Sequence, residues 1–142
     1  MIILTAVDDR NGLLFNHRRQ SQDAALREHI LALTGESRLW MNAYSFKQFE
    51  GMEESLRAGI TVDEEFLTKA AEDDYCFVEN VPVLPCVQAV KKVILFKWNR
   101  AYPGDFFFDL QLTEPFWRKT ETSEFAGTSH ETITKEIYEH EL

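Results

Sequence analysis

The opening stretch Met1-Ile-Ile-Leu-Thr-Ala-Val-Asp-Asp-Arg-Asn-Gly12 decides how this chain is read. Ile2 to Val7 is a short apolar run, the pattern of a buried strand. Asp8-Asp9-Arg10-Asn11-Gly12 ends it with a turn cluster whose strongest element is Asn-Gly. Outward from this strand, Leu13 to Gln22 reads as polar and irregular. Ser21 or Asp23 can then cap a helix running to about Leu33. Leu26, Ile30 and Leu33 fall at i, i+4 and i+7, one stripe facing a core, and Gly35 stops the helix.

Arg38 to Asn42 predicts a second strand. Ser45 can cap a short helix through Phe46 and Phe49, ended near Gly51. Gly59 to Val62 predicts a short strand, and Thr61-Val62-Asp63-Glu64 fits a capping box ahead of a helix carrying Phe66, Leu67 and Ala70. Tyr75 to Val78 reads as a strand, Pro82 to Val90 as a short helix, and Lys92 to Trp98 as a buried strand. Tyr102-Pro103-Gly104-Asp105 is a turn, and Phe106 to Phe108 is extended. Trp117 to Phe125 and Glu131 to Glu139 alternate polar and apolar residues around Ala126-Gly127-Thr128, which predicts a long antiparallel hairpin. Strand–helix alternation followed by a hairpin predicts one α/β domain over residues 1–142 with a mixed sheet. The strands near 2–7, 38–42, 75–78 and 92–98 should be neighbours in it.

Composition narrows the function classes. The chain has 142 residues, 44% of them apolar, enough for a substantial core. Fifteen basic against 24 acidic residues give a net charge of −9, which disfavours a broad nucleic-acid surface. No apolar run approaches the roughly 18–20 residues of a membrane span, and no basic region precedes the opening strand as in a secretory signal. Cys76 and Cys86 lack C-x-x-C spacing and read as buried thiols in a reducing cytoplasm. His17, His29, His130 and His140 show no metal-ligand spacing, so no metal site is expected. The acidic runs Glu53-Glu54, Asp63-Glu64-Glu65 and Glu72-Asp73-Asp74 read as solvated faces and helix ends.

With the elements in place, their order and motifs resemble dihydrofolate reductase over nearly the whole chain. AVDDRNGLLFN (residues 6–16) resembles that family's A-V-D-x-N-x-x-I-G-x-N. Trp40-Met41-Asn42-Ala43-Tyr44-Ser45-Phe46 resembles I-M-G-R-x-T-Y. Residues 75–83 occupy the place of Y-V-I-G-G-x-x-I-Y, and residues 101–108 resemble E-V-E-G-D-x-x-F. The resemblance implies a three-layer α/β/α domain with a mostly parallel sheet and a C-terminal antiparallel hairpin. It implies a cofactor-side set of Ala6, Leu13, Asn42, Ser45, Val78 and Glu79, and a substrate pocket of Leu26, Ile30 and Phe96.

The departures fall at the chemistry. With Ile30 as the family's pocket residue, the catalytic acid's place holds Leu26, which cannot assist protonation. Asp23 lies one turn back and reads first as a helix cap; a second reading keeps it as a candidate acid. The cofactor glycine of M-G-R falls on Asn42 and the phosphate-binding Arg on Ala43. The Gly-Gly pair falls on Val78-Glu79, where side chains crowd a phosphate and Glu79 repels it. Arg19-Gln20-Ser21 replaces an apolar L-P-W wall. Phe96 and Lys97 replace Thr and His. Segment 47–74 is shorter than its family counterpart, as if a strand were deleted.

Coordinated loss of acid, glycines and Arg implies a non-catalytic relative, a pseudoenzyme with a binding or regulatory role and no cofactor. The alternative is an NADPH-dependent reductase of dihydrofolate or another pterin-like substrate with an atypical site. Another enzyme on the same fold is the third class. A binding module would expose an apolar patch, with Phe106-Phe107-Phe108, Phe116-Trp117 and Trp98 as candidates. An enzyme would show an acid or base in a cleft, with Asp23, Arg27, Glu28 and His29 as candidates. The expected partner is a protein or small molecule, not nucleic acid or membrane. The chain is expected as a monomer or as a homodimer paired through a sheet edge.

Overall fold

The structure, a computed structural model, describes residues 1–141. β1 (Ile2–Val7) is buried along almost its whole length, with only Ala6 half-exposed. Such a strand must have partners on both edges and cover on both faces, and it has both. A turn leads into β2 (Gly12–Phe15) and β3 (Arg18–Arg19). α1 (Ala24–Thr34), β4 (Leu39–Met41), α2 (Ala43–Phe46) and α3 (Glu54–Arg57) follow. The chain continues through β5 (Ile60–Val62), α4 (Phe66–Lys69), β6 (Tyr75–Phe77) and β7 (Lys92–Lys97), and ends in β8 (Phe106–Phe107), β9 (Trp117–Phe125) and β10 (Ile133–His140).

Seven strands form one sheet in the order β5-β4-β6-β1-β7-β10-β9. The pairs from β5 to β7 are parallel, whereas β10 runs antiparallel to both β7 and β9. The four strands expected as neighbours are contiguous, β4-β6-β1-β7. The pleat sends alternate residues of β1 and β7 to opposite faces. Ile2, Leu4, Ile94 and Phe96 pack with Leu26 and Ile30 of α1. Ile3, Val7, Val93 and Leu95 pack with Phe66 of α4 and the half-buried Cys86 and Val87. Each large side chain so buried contributes about 1.5–3 kcal/mol before entropy is subtracted. The result is the three-layer α/β architecture with its antiparallel C-terminal pair.

The structure corrects local expectations in several places. Leu13 to Gln22 is not irregular: β2 pairs with β3 and with β8 in a small second sheet. The pairing leaves little periodic signal because β3 and β8 are two-residue, partly exposed strands. Ser45 does not cap α2; Asn42 does, its Oδ1 accepting from the Ser45 N–H at 3.1 Å. The capping box at Thr61 does not form, because Thr61 is drawn into β5. Asp63 accepts instead from the Glu65 N–H, and Glu64 reaches across to the Ala43 N–H at 2.8 Å. The short helix expected over Pro82 to Val90 is a 3-10 segment, Leu84–Ala89, kinked at Cys86. Cys86 is half-buried rather than buried. Asp74 is not simply a solvated acid: it accepts from Trp40 Nε1 at 2.9 Å and from the Ala71 N–H.

Candidate functional site

Parallel strands end together, and the ends of β4 and β6 open toward the start of α2. Asn42 stands at this junction, buried, with Oδ1 on the helix N-terminus and Nδ2 donating to Asn80 Oδ1 at 2.8 Å. That bond stitches the two strand ends together. Val78 is fully buried, and its carbonyl accepts from Thr5 Oγ1 at 2.8 Å. Ser45 is also fully buried, and its Oγ has no hydrogen-bond partner among the described residues.

Glu79 does not project freely. Its carboxylate takes a two-pronged contact from Arg19, with Nε to Oε2 at 2.9 Å and Nη2 to Oε1 at 3.1 Å. Arg19 also donates through Nη2 to the Tyr44 carbonyl and lies over the Tyr44 ring at 4.6 Å. The Arg19 backbone N–H donates to the Tyr44 hydroxyl at 2.7 Å. β3 is thereby fastened across the strand ends. Burial works against the Arg19 cation, but the Glu79 carboxylate more than offsets it and holds the guanidinium pKa above its usual value. Beside this clasp lies a cavity of about 480 Å³ lined by Leu14, His17, Tyr44, Asn80, Asp105 and Phe106.

The residues expected to form a substrate pocket converge, but on one another. Leu26, Ile30 and Phe96 are buried in a single apolar cluster with Trp98 and Ile133. His29 is half-buried on α1. It stacks on Phe125 at 4.3 Å and meets the edge of Phe96 at 5.8 Å. Burial, and then the Lys135 charge, lower its pKa below the usual histidine value. Arg27 reaches Gln22 on the outside of the helix, and Glu28 is exposed.

Asp23 caps α1, its Oδ1 accepting from the Ala25 and Leu26 N–H groups. The carboxylate also accepts from the backbone N–H groups of Thr128, Ser129 and His130, and from His130 Nδ1 at 3.0 Å. Burial opposes its charge, but these donors prevail and hold the carboxyl well below the ordinary range. Among the aromatic candidates, Phe107 and Phe116 are exposed, whereas Trp98, Phe108 and Trp117 are buried. Ala6 sits half-exposed on β1 opposite Phe96, and Leu13 is buried in β2. Among the described residues, no three His, Cys, Asp or Glu side chains are grouped as a metal site would require. No helix among them is long and apolar enough to cross a membrane.

Sequence reasoning misses Arg19 and His130 as organising residues. Arg19 lies in a stretch that reads as irregular, and His130 in a polar hairpin loop with no motif around it. A basic residue in the stretch where the resemblance implies an apolar wall is the one available signal for Arg19.

No known family profile matches the chain, and no curated protein matches its sequence. Its fold does have solved counterparts. It is similar to dihydrofolate reductase from Enterococcus faecalis, a structure complexed with NADP(H) and RAB-propyl. The TM-score is 0.65 over 100% of this chain and 97% of that one, at 12% sequence identity. The chain therefore has a dihydrofolate reductase-like α/β fold, and at this identity the likeness is one of fold.

Proposed function

We propose that this chain is a dihydrofolate reductase-like protein that does not reduce dihydrofolate and that serves as a binding or regulatory module. The observation that carries this reading is the Arg19–Glu79 clasp at the strand ends. A dinucleotide needs backbone approach and positive charge at its pyrophosphate. Here the buried Val78 and Glu79 side chains stand where glycines would admit it, and the nearest guanidinium is already neutralised. These residues do not fit the phosphates of NADPH. Leu26, closed into the α1 core, offers no proton at the substrate side.

The cavity beside Tyr44, lined by Leu14, Tyr44 and Phe106 as well as Asn80 and Asp105, suits a small ligand with an apolar face or a side chain of a partner protein. The two free cysteines fit a reducing cytoplasm. The edge strand β9 carries Arg118, Lys119, Glu121 and Glu124 along its exposed length, which disfavours edge pairing and supports a monomeric domain.

Isothermal titration calorimetry of the purified chain with NADPH tests the reading. Absence of saturable heat at micromolar concentration, together with no NADPH-dependent turnover of dihydrofolate, is expected. Micromolar binding with measurable turnover overturns it.

A further inference from the structure

We propose that Ser21, His130 and Asp23 form an acyl-transfer centre that hydrolyses short-chain esters, separate from the clasp at Arg19 and Glu79. Folding brings the loop before α1 against the loop between β9 and β10. Ser21 Oγ lies 3.1 Å from His130 Nε2, and His130 Nδ1 lies 3.0 Å from Asp23 Oδ2. Nucleophile, base and carboxylate thus stand in the order that activation of a serine hydroxyl requires.

The burial gradient fits those roles. The side chains of Asp23 and His130 are 0% and 4% exposed, whereas Ser21 is half-buried and reachable. Asp23 Oδ2 faces Nδ1, and in the tautomer that carries the proton there Nε2 is left to accept from the Ser21 hydroxyl. Trp98 stacks on the imidazole at 4.4 Å and 22°, fixing the ring plane. Tyr102 places its hydroxyl 3.0 Å from Nε2 and 3.4 Å from Ser21 Oγ, holding the serine hydroxyl and the imidazole together. His130, though not Ser21 itself, lines a cavity of about 280 Å³ on the neighbouring side of the ring. Arg100 and Glu131 line it with opposite charges, so it fits a small uncharged acyl chain rather than an anion or a cation.

In the forward step Ser21 Oγ bonds to the ester carbonyl carbon and its proton passes to Nε2. The carbon–alkoxy bond then breaks, and the alkoxide leaves as the alcohol with the proton from Nε2. Water next attacks the acyl-serine carbon and gives its proton to Nε2. The Ser21 Oγ–carbon bond breaks, Oγ recovers the proton, and the carboxylic acid departs. Ester and water become acid and alcohol, with no redox partner. Asp23 acts through His130 and is a positioning residue.

The full-length chain is treated with p-nitrophenyl acetate and, separately, with a fluorophosphonate probe followed by peptide mass mapping. Expected are hydrolysis above the buffer rate and a single adduct on Ser21. Ser21→Ala and His130→Gln, each shown by circular dichroism to melt cooperatively, should lose at least about 100-fold in rate. Folded Asp23→Asn should lose kcat with KM unchanged, a split that a merely structural cap does not produce; if that variant does not fold, Ser21→Ala and His130→Gln decide. No adduct on the folded wild type, an adduct elsewhere, or undiminished hydrolysis in Ser21→Ala overturns the proposal and leaves the network as a latch between loop and helix. NADPH turnover by the same preparation bears only on the earlier reading.

Discussion

Arg19 and Glu79, 60 residues apart in sequence, meet through two parallel hydrogen bonds, at 2.9 and 3.1 Å, with side chains only 21% and 10% exposed. Removing one partner of such a pair strands the other in a poorly hydrated place. Arg19→Ala should therefore destabilise the fold by about 2 kcal/mol, more than a surface pair allows. Glu79→Ala should do the same, and the double variant should cost clearly less than the sum. Urea unfolding of the four proteins checks this. Additive losses would show that the clasp is not a unit.

Leu26→Asp places a carboxylate where the resemblance to dihydrofolate reductase implies an acid. Leu26 is only 4% exposed and packs with Ile30, so the new group is buried without a partner. Its pKa should rise and the fold should lose about 3 kcal/mol or more. Dihydrofolate turnover should stay absent, because the strand-end clasp is untouched. Turnover appearing in this variant alone would show that the cofactor side had survived.

Acid sensitivity should centre on Asp23. Its folded-state pKa lies below the ordinary 3.8, so the unfolded chain takes up its proton first. The stabilisation is complete above that ordinary value and is lost as pH falls below it toward the folded pKa. Thermal melts should show Tm dropping steeply below about pH 4. Asp23→Asn should melt lower at neutral pH and show a flatter decline over the acid window. An unchanged acid slope in the variant would assign the sensitivity to other carboxylates.

His29 should titrate below the ordinary 6.5 because burial and Lys135 disfavour its charged form. The depressed pKa makes its contribution full above that value and declining as pH falls. Proton NMR of the imidazole should place the midpoint under 6.5, and His29→Phe should remove this mild decline while keeping the stack on Phe125. A midpoint above the ordinary value would contradict the packing described.

Elements whose signal lies within a few adjacent residues are legible in the sequence. Ile2 to Val7 and Lys92 to Trp98 are apolar runs that only a buried strand satisfies, and β1 and β7 lie side by side. Asp23 as the cap of α1 and Gly35 as its stop are readable because capping is decided within one helical turn. The stripe of Leu26 and Ile30 facing the core is readable from helical spacing.

Which partners those residues take is decided only by the tertiary structure. Asn42 and Ser45 are both competent caps, and the choice falls on Asn42 because β4 ends there and Ser45 is carried into the core. Thr61 has a capping-box pattern, but pairing with Trp40 in the sheet claims it. Glu79 reads from sequence as a charge that repels phosphate, whereas folding supplies Arg19 to neutralise it. Asp23 and His130 stand 107 residues apart, and no local pattern connects them. Helix stripes and turns depend on neighbours along the chain, so sequence determines them. Ion pairs and proton relays depend on distances of about 3 Å between side chains on different elements, which only the closed sheet and its crossing loops set.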